Sequence, residues 1–280
     1  MKHFFTRFLT MAGLAMSTLS LNAQQLPDPG FEDWSGAKFD GNIQMKYWNA
    51  SNVEQTAVGM TFRFNFMTRE TGRSGYCAKI ENKEVGAAGL TEKTPGYFTL
   101  GKPWQYISGL DVNGATGGTD GGLSFTYRPD SMYVWIKRGG SSAATENYSI
   151  LFYSWKGTSS SSTYRSKDKK SCTNTGPHTN EESDVRQALD ANDCGTMTKA
   201  TQIAEGWVFE KKQYNDWTQI KVPIYYLNDE VPQMCNVIFS STGYPNFRNQ
   251  ADVVVGNSLC VDDVELIYSS KIEHLYIGGL

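Results

Sequence analysis

Met132-Tyr133-Val134-Trp135-Ile136-Lys137 alternates strictly between an aliphatic and an aromatic or charged side chain. A period of two belongs to a strand with one face packed inward and the other turned elsewhere. Downstream, Tyr148–Trp155 is a second apolar run rich in aromatics. A short connection containing Gly139-Gly140 separates the two, the layout expected of an antiparallel hairpin. Thr218, Ile220, Val222 and Ile224 alternate again. Pro223 interrupts that run and has no N–H to donate, which predicts a sheet edge or a bulge. Val237–Phe239 and Leu259–Tyr268 supply later strands, and Thr61–Met67, Tyr76–Ile80 and Leu123–Tyr127 earlier ones. Helical periodicity is nearly absent. Many short strands between turn residues predict an all-β fold, a single β-sandwich or jelly roll, and such folds hold a chain of this length in one domain.

Outward from this framework the chain changes character twice. Residues 157–195 include Ser159–Ser162 and the charged cluster Arg165–Lys170, and read as one long polar surface insertion. Within it, Ser183–Asp193 has the pattern of a short helix capped by Ser183. At the start, the basic Met1–Arg7 precedes the apolar or small run Phe8–Leu21 and the small Ala23. That order predicts a signal peptide over 1–23 and export to the periplasm, the outer-membrane surface or beyond. The apolar run is shorter than a bilayer requires, and no other stretch reaches that length, so no transmembrane segment is expected. The β domain then spans 24–268, and 269–280 is a tail or the start of a further domain.

Composition narrows the function classes. With 26 basic and 29 acidic residues the formal net charge is −3, and the leader takes Lys2 and Arg7 with it. A nucleic-acid partner that reads a basic surface is therefore not expected. An aromatic content of 13% excludes simple disorder. Cysteine falls at 77, 172, 194, 235 and 260 without a CxxC spacing, so a zinc site is not expected. Cys172 and Cys194 bracket a polar stretch that a disulfide would tie down, whereas Cys77, Cys235 and Cys260 sit in strand-like runs as small apolar residues. Beyond the leader only His178 and His274 remain, in the insertion and the tail. A His-activated nucleophile is accordingly not assigned, and no residue receives a catalytic role.

Two constellations carry candidate chemistry. Tyr133 and Trp135 share one face of their strand, and Tyr153 and Trp155 share a parity on the next. If the two strands pair, these rings form one platform for the apolar C–H faces of a sugar. Trp104, Tyr244 and Arg248, with Asn246, would form its rim. Most aromatics in a sandwich fill the core instead. The second constellation is acidic. Asp262 shares alternation parity with Val264 and Leu266 and should point inward, where a carboxylate needs a partner.

The ends of the domain carry a resemblance. The opening Leu26-Pro27-Asp28-Pro29-Gly30-Phe31-Glu32-Asp33-Trp34 and the closing Val261-Asp262-Asp263-Val264-Glu265-Leu266 are similar to those of jelly-roll carbohydrate-binding modules. Together with Tyr47–Asn52, Ser74–Lys79, Thr119–Lys137, Trp217–Tyr225, Val237–Ser241 and Gly256–Tyr268, they resemble the PCMD family, carbohydrate-metabolism domains of exported Gram-negative bacterial proteins. The stretch 157–195 is longer and more charged than the family pattern. The resemblance implies a jelly roll with its first and last strands side by side and a role in glycan handling. It also implies a structural calcium ion held by Glu32, Asp262 and Asp263 with the Gly30 carbonyl. The competing use of these acids is hydrogen bonding to backbone amides at strand ends. The function expected is glycan capture without catalysis. The alternatives are a glycoside hydrolase acting through a carboxylate pair and a structural or adhesive surface protein.

Overall fold

The computed structural model describes residues 23–38, 42–57, 60–87, 90–108, 111–156, 178–180, 201–243 and 253–269. Among them every regular element is a strand, as the period-two pattern predicts. Two antiparallel sheets build the body. Their strands, in chain order, are β1 (Asn49–Ala50), β2 (Met67–Thr71), β3 (Tyr76–Glu81), β4 (Tyr97–Thr99), β5 (Leu123–Ser124) and β6 (Ser131–Gly139). The later strands are β7 (Tyr148–Lys156), β8 (Thr201–Glu210), β9 (Tyr214–Pro223), β10 (Tyr225–Tyr226), β11 (Met234–Ser240) and β12 (Ser258–Ile267). The five-stranded sheet runs β9-β6-β12-β3-β2, and the seven-stranded sheet runs β10-β8-β7-β11-β4-β1 with β5 beside β11. Pro223 ends β9, which is an edge strand, as its missing N–H requires. A smaller sheet pairs Lys102–Ser108 with Asp111–Asp120 and that strand with His178–Asn180.

The two sheets pack face to face over one core. From β6 it receives Met132, Val134 and Ile136, from β7 Tyr148, Ile150 and Phe152, from β11 Val237 and Phe239, and from β12 Leu259, Val261, Val264 and Leu266. One end of the core is aromatic: Phe31, Trp48, Phe98 and Phe239 meet with ring centroids 4.9–5.8 Å apart. The expected adjacency of the domain's beginning and end is present. Gln25 both donates to the Leu266 carbonyl and accepts from the Leu266 amide, each at 2.8 Å, and the Val264 amide donates to the Pro29 carbonyl at 2.9 Å.

Two sequence expectations are overturned. The strands β6 and β7 do not form a hairpin. β6 pairs with β9 and β12, whereas β7 pairs with β8 and β11, so the connection crosses from one sheet to the other. Buried polar groups fasten this crossing. Glu146 lies 3.6 Å from the Arg138 guanidinium and accepts from Asn82 at 3.1 Å and from Asn257. The second correction concerns Asp262. A bulge in β12 puts Glu265 opposite Tyr133 but Asp262 opposite Trp135, and Asp263 takes φ +44°. The extra residue reverses the alternation. Leu259 and Val261 face the core before it, Val264 and Leu266 after it, and Asp262 lies on the outer face beside Trp135.

Candidate functional site

On the outer face of the five-stranded sheet, Tyr133, Trp135 and Lys137 lie opposite the core side chains as predicted. Their rings are not open. The Arg73 guanidinium sits 3.8 Å above the Trp135 centroid and Lys221 Nζ 5.8 Å from that of Tyr133, while Lys137 Nζ lies 5.1 Å from Trp217. Cations thus lie near the half-buried Tyr133 and Trp135 rings.

The acids named from sequence come together next to this layer. The chain Gly72–Tyr76 folds over Asp262 and Glu32: Arg73 N donates to Asp262 Oδ2 at 2.7 Å, and Tyr76 N donates to Glu32 Oε1 at 2.9 Å. The Asp263 amide donates to Asp262 Oδ1 at 2.9 Å, and the Arg73 guanidinium pairs with Asp263. Gly75, at φ +71°, leaves room for Glu32: a Cβ there would stand 2.2 Å from Oε1. A Cβ on Gly30 would lie 3.6 Å from Asp263 Oδ1, so all four residues named for calcium lie in one neighbourhood. Asp262 is fully buried. Its removal from water pushes its carboxyl up to about 6; the Asp263 and Glu32 charges add to the rise, and the two amide bonds oppose it. Calcium requires six to eight oxygen ligands. Here the oxygens accept N–H bonds, a guanidinium supplies the positive charge, and among the described residues no three acidic, His or Cys side chains group as a metal site. These contacts are the competing use of the acids, hydrogen bonding to backbone amides at strand ends.

The outer face of the seven-stranded sheet differs. Tyr153 and Trp155 stack with centroids 5.4 Å apart, but both are buried in a second apolar layer with Tyr97, Leu151 and Ile238. Asn236 donates to the Tyr153 hydroxyl at 3.2 Å. Tyr133 and Trp135 lie on the outside of one sheet and Tyr153 and Trp155 on the outside of the other, so the four rings cannot form one platform. Trp104 lies on Lys102–Ser108, where it pairs with Gly118. Tyr244, Asn246, Arg248, the Cys172–Cys194 pair and the Ser183–Asp193 segment fall outside the described residues.

What the sequence reading missed lies on the same face, toward its β8–β10 edge. β8 turns Glu205, Trp207 and Phe209 outward, because these stand opposite Tyr153, Leu151 and Ser149. β10 places Tyr225 opposite Glu205. Trp207 is 43% exposed, Phe209 40% and Tyr225 56%, and the Trp207 and Tyr225 rings are 6.0 Å apart. Glu205 is buried behind them and accepts from Gln202 at 2.9 Å. The signal was present in Glu205-Gly206-Trp207-Val208-Phe209, which alternates as β6 does.

No family model matches the chain, and no curated protein matches it. Solved structures do. A "putative glycoside hydrolase" from Bacteroides thetaiotaomicron is 15% identical at a TM-score of 0.50, over 86% of this chain and 71% of the other. A second protein of that description, from Bacteroides vulgatus, is 13% identical at a TM-score of 0.48, over 85% and 96%. A carbohydrate-binding module of the β-sandwich superfamily is 10% identical at a TM-score of 0.31, over 80% and 58%. At 15% identity the first of these likenesses is one of fold alone.

Proposed function

We propose that this chain is an exported glycan-binding β-sandwich of the PCMD kind, and that its ligand lies across Trp207 and Tyr225. One observation carries the reading: two large exposed rings on adjacent strands, 6.0 Å apart, with a carboxylate behind them. Rings left in water at this density mark a contact surface. Flat rings pack on the C–H face of a pyranose, while the half-buried Gln202 amide, held by Glu205, offers a polar group beside them. The order of basic, apolar and small residues over 1–23 supports export.

The test is a titration of the full chain with neutral oligosaccharides, read by calorimetry. Trp207→Ala and Tyr225→Ala should each weaken binding about tenfold or more, the scale of losing one well-placed aromatic anchor. Their melting temperatures should stay close to that of the parent, because both rings lie outside the core. Binding that survives both substitutions overturns the proposal. Release of new reducing ends during the titration would reassign the protein to glycan cleavage.

A further inference from the structure

The outer face of the five-stranded sheet brings two cysteines together. Val261 pairs with Ala78 and Cys260 with Lys79, so Cys77, two residues before Lys79, is the diagonal neighbour of Cys260 on the same face. Both thiols are free, and each lies within interaction range of the other. Cys77 is buried, with its Sγ 3.5 Å from the Thr71 carbonyl, whereas Cys260 is only half-buried. In register, Cys260 has Lys79 on one side and Lys137 on the other. Cys235 is buried in the core, on the inner face of the other sheet.

We propose that Cys77 and Cys260 are a dithiol–disulfide pair, that Cys260 is the attacking thiol, and that their oxidation by a low-molecular-weight disulfide clamps β3 to β12. The two lysines and its partial exposure give Cys260 the surroundings of a reactive cysteine. Lys79 also pairs with Glu70 at 2.9 Å. The exchange balances in two steps. The Cys260 thiolate attacks one sulfur of the donor disulfide, forms a mixed disulfide and releases one thiolate. Cys77 then loses its proton and attacks the Cys260 sulfur, which expels the second thiolate. Two protein thiols are oxidised, one disulfide is reduced, and the two protons end on the two released thiols. The resulting link joins the third strand of the sandwich to the last, closing about three quarters of the domain into a loop, and a long loop is where a crosslink constrains the unfolded chain most.

The test uses the full chain, reduced and then incubated with oxidised glutathione. Free thiols are alkylated and the peptides mapped by mass spectrometry. A peptide pair linked through Cys77 and Cys260, with a melting temperature several degrees above that of the reduced protein, is the expected result. Cys77→Ser should trap glutathione on Cys260, and Cys260→Ser should leave Cys77 unmodified. Separate alkylation of both cysteines in the oxidised parent overturns the pair, as does a stable glutathione adduct on Cys260 with Cys77 alkylated. Rapid glutathione capture by Cys77 in the Cys260→Ser variant overturns the assigned order of attack.

Discussion

Asp262 shows how far one side chain departs from its sequence reading. Parity alone sends it into the core, yet it faces outward, buried under Gly72–Tyr76 and held by two amides. Its folded pKa of about 6 stands above the ordinary 3.8, so the native state binds the proton more tightly than the unfolded chain. Its contribution to stability is complete below pH 3.8 and is lost as pH rises through 6. Carboxyl NMR should place its midpoint near pH 6. In Asp262→Asn the fall in melting temperature across that window should shrink relative to the parent. Because its neighbours Glu32 and Asp263 are satisfied by Tyr76 N and Arg73, a divalent-cation chelator should leave the melting temperature unchanged. Arg138 is a sharper case. It is fully buried with Glu146, donates to the Ser258 carbonyl at 3.0 Å, and burial draws its pKa down to about 10. Arg138→Ala strands the Glu146 charge, and denaturant unfolding should show a loss of about 3–5 kcal/mol.

Individual strands were legible where one face meets the core and the other does not. β6 alternates because Met132, Val134 and Ile136 fill the sandwich while Tyr133, Trp135 and Lys137 lie outside it. β7 reads as a continuous run because both of its faces are covered, one by the inter-sheet core and the other by the layer around Trp155. A run buried on both sides carries no parity signal, so the sequence could not say which face holds Tyr153 and Trp155. Nor could it place β6 and β7 in different sheets, since a short connection with glycine serves a hairpin or a crossing alike. Gly140 adopts φ +118° against Asn257, and Glu146 anchors the far side, so the crossing rests on contacts distant in sequence. Close strand contact is testable at Gly122. A Cβ there would stand 2.0 Å from the Cys235 carbonyl oxygen and 3.0 Å from the Trp155 ring. Gly122→Ala should therefore push β5 away from β11 and cost about 1–3 kcal/mol in chemical denaturation.

For the molecule as a whole, the proposed ligand is a neutral glycan laid on an exposed aromatic edge of a chain whose net charge is −3. Glycan affinity should then hold nearly constant as sodium chloride is raised in the calorimetric titration, because ring stacking and neutral hydrogen bonds are not screened as ion pairs are. The sequence by itself determined the local facts: that the chain is built of strands, which residues of β6 face inward, that Pro223 sits at an edge or a bulge, and that acids cluster at the closing strand. Each follows from side-chain period or backbone chemistry within a few residues. Only the tertiary structure decided which strands share a sheet, that a bulge turns Asp262 outward, and that Trp207 and Tyr225 meet at the open edge while Tyr153 and Trp155 are covered. Those outcomes depend on pairings between strands far apart in the chain, and a one-residue shift in such a pairing exchanges the two faces of a strand.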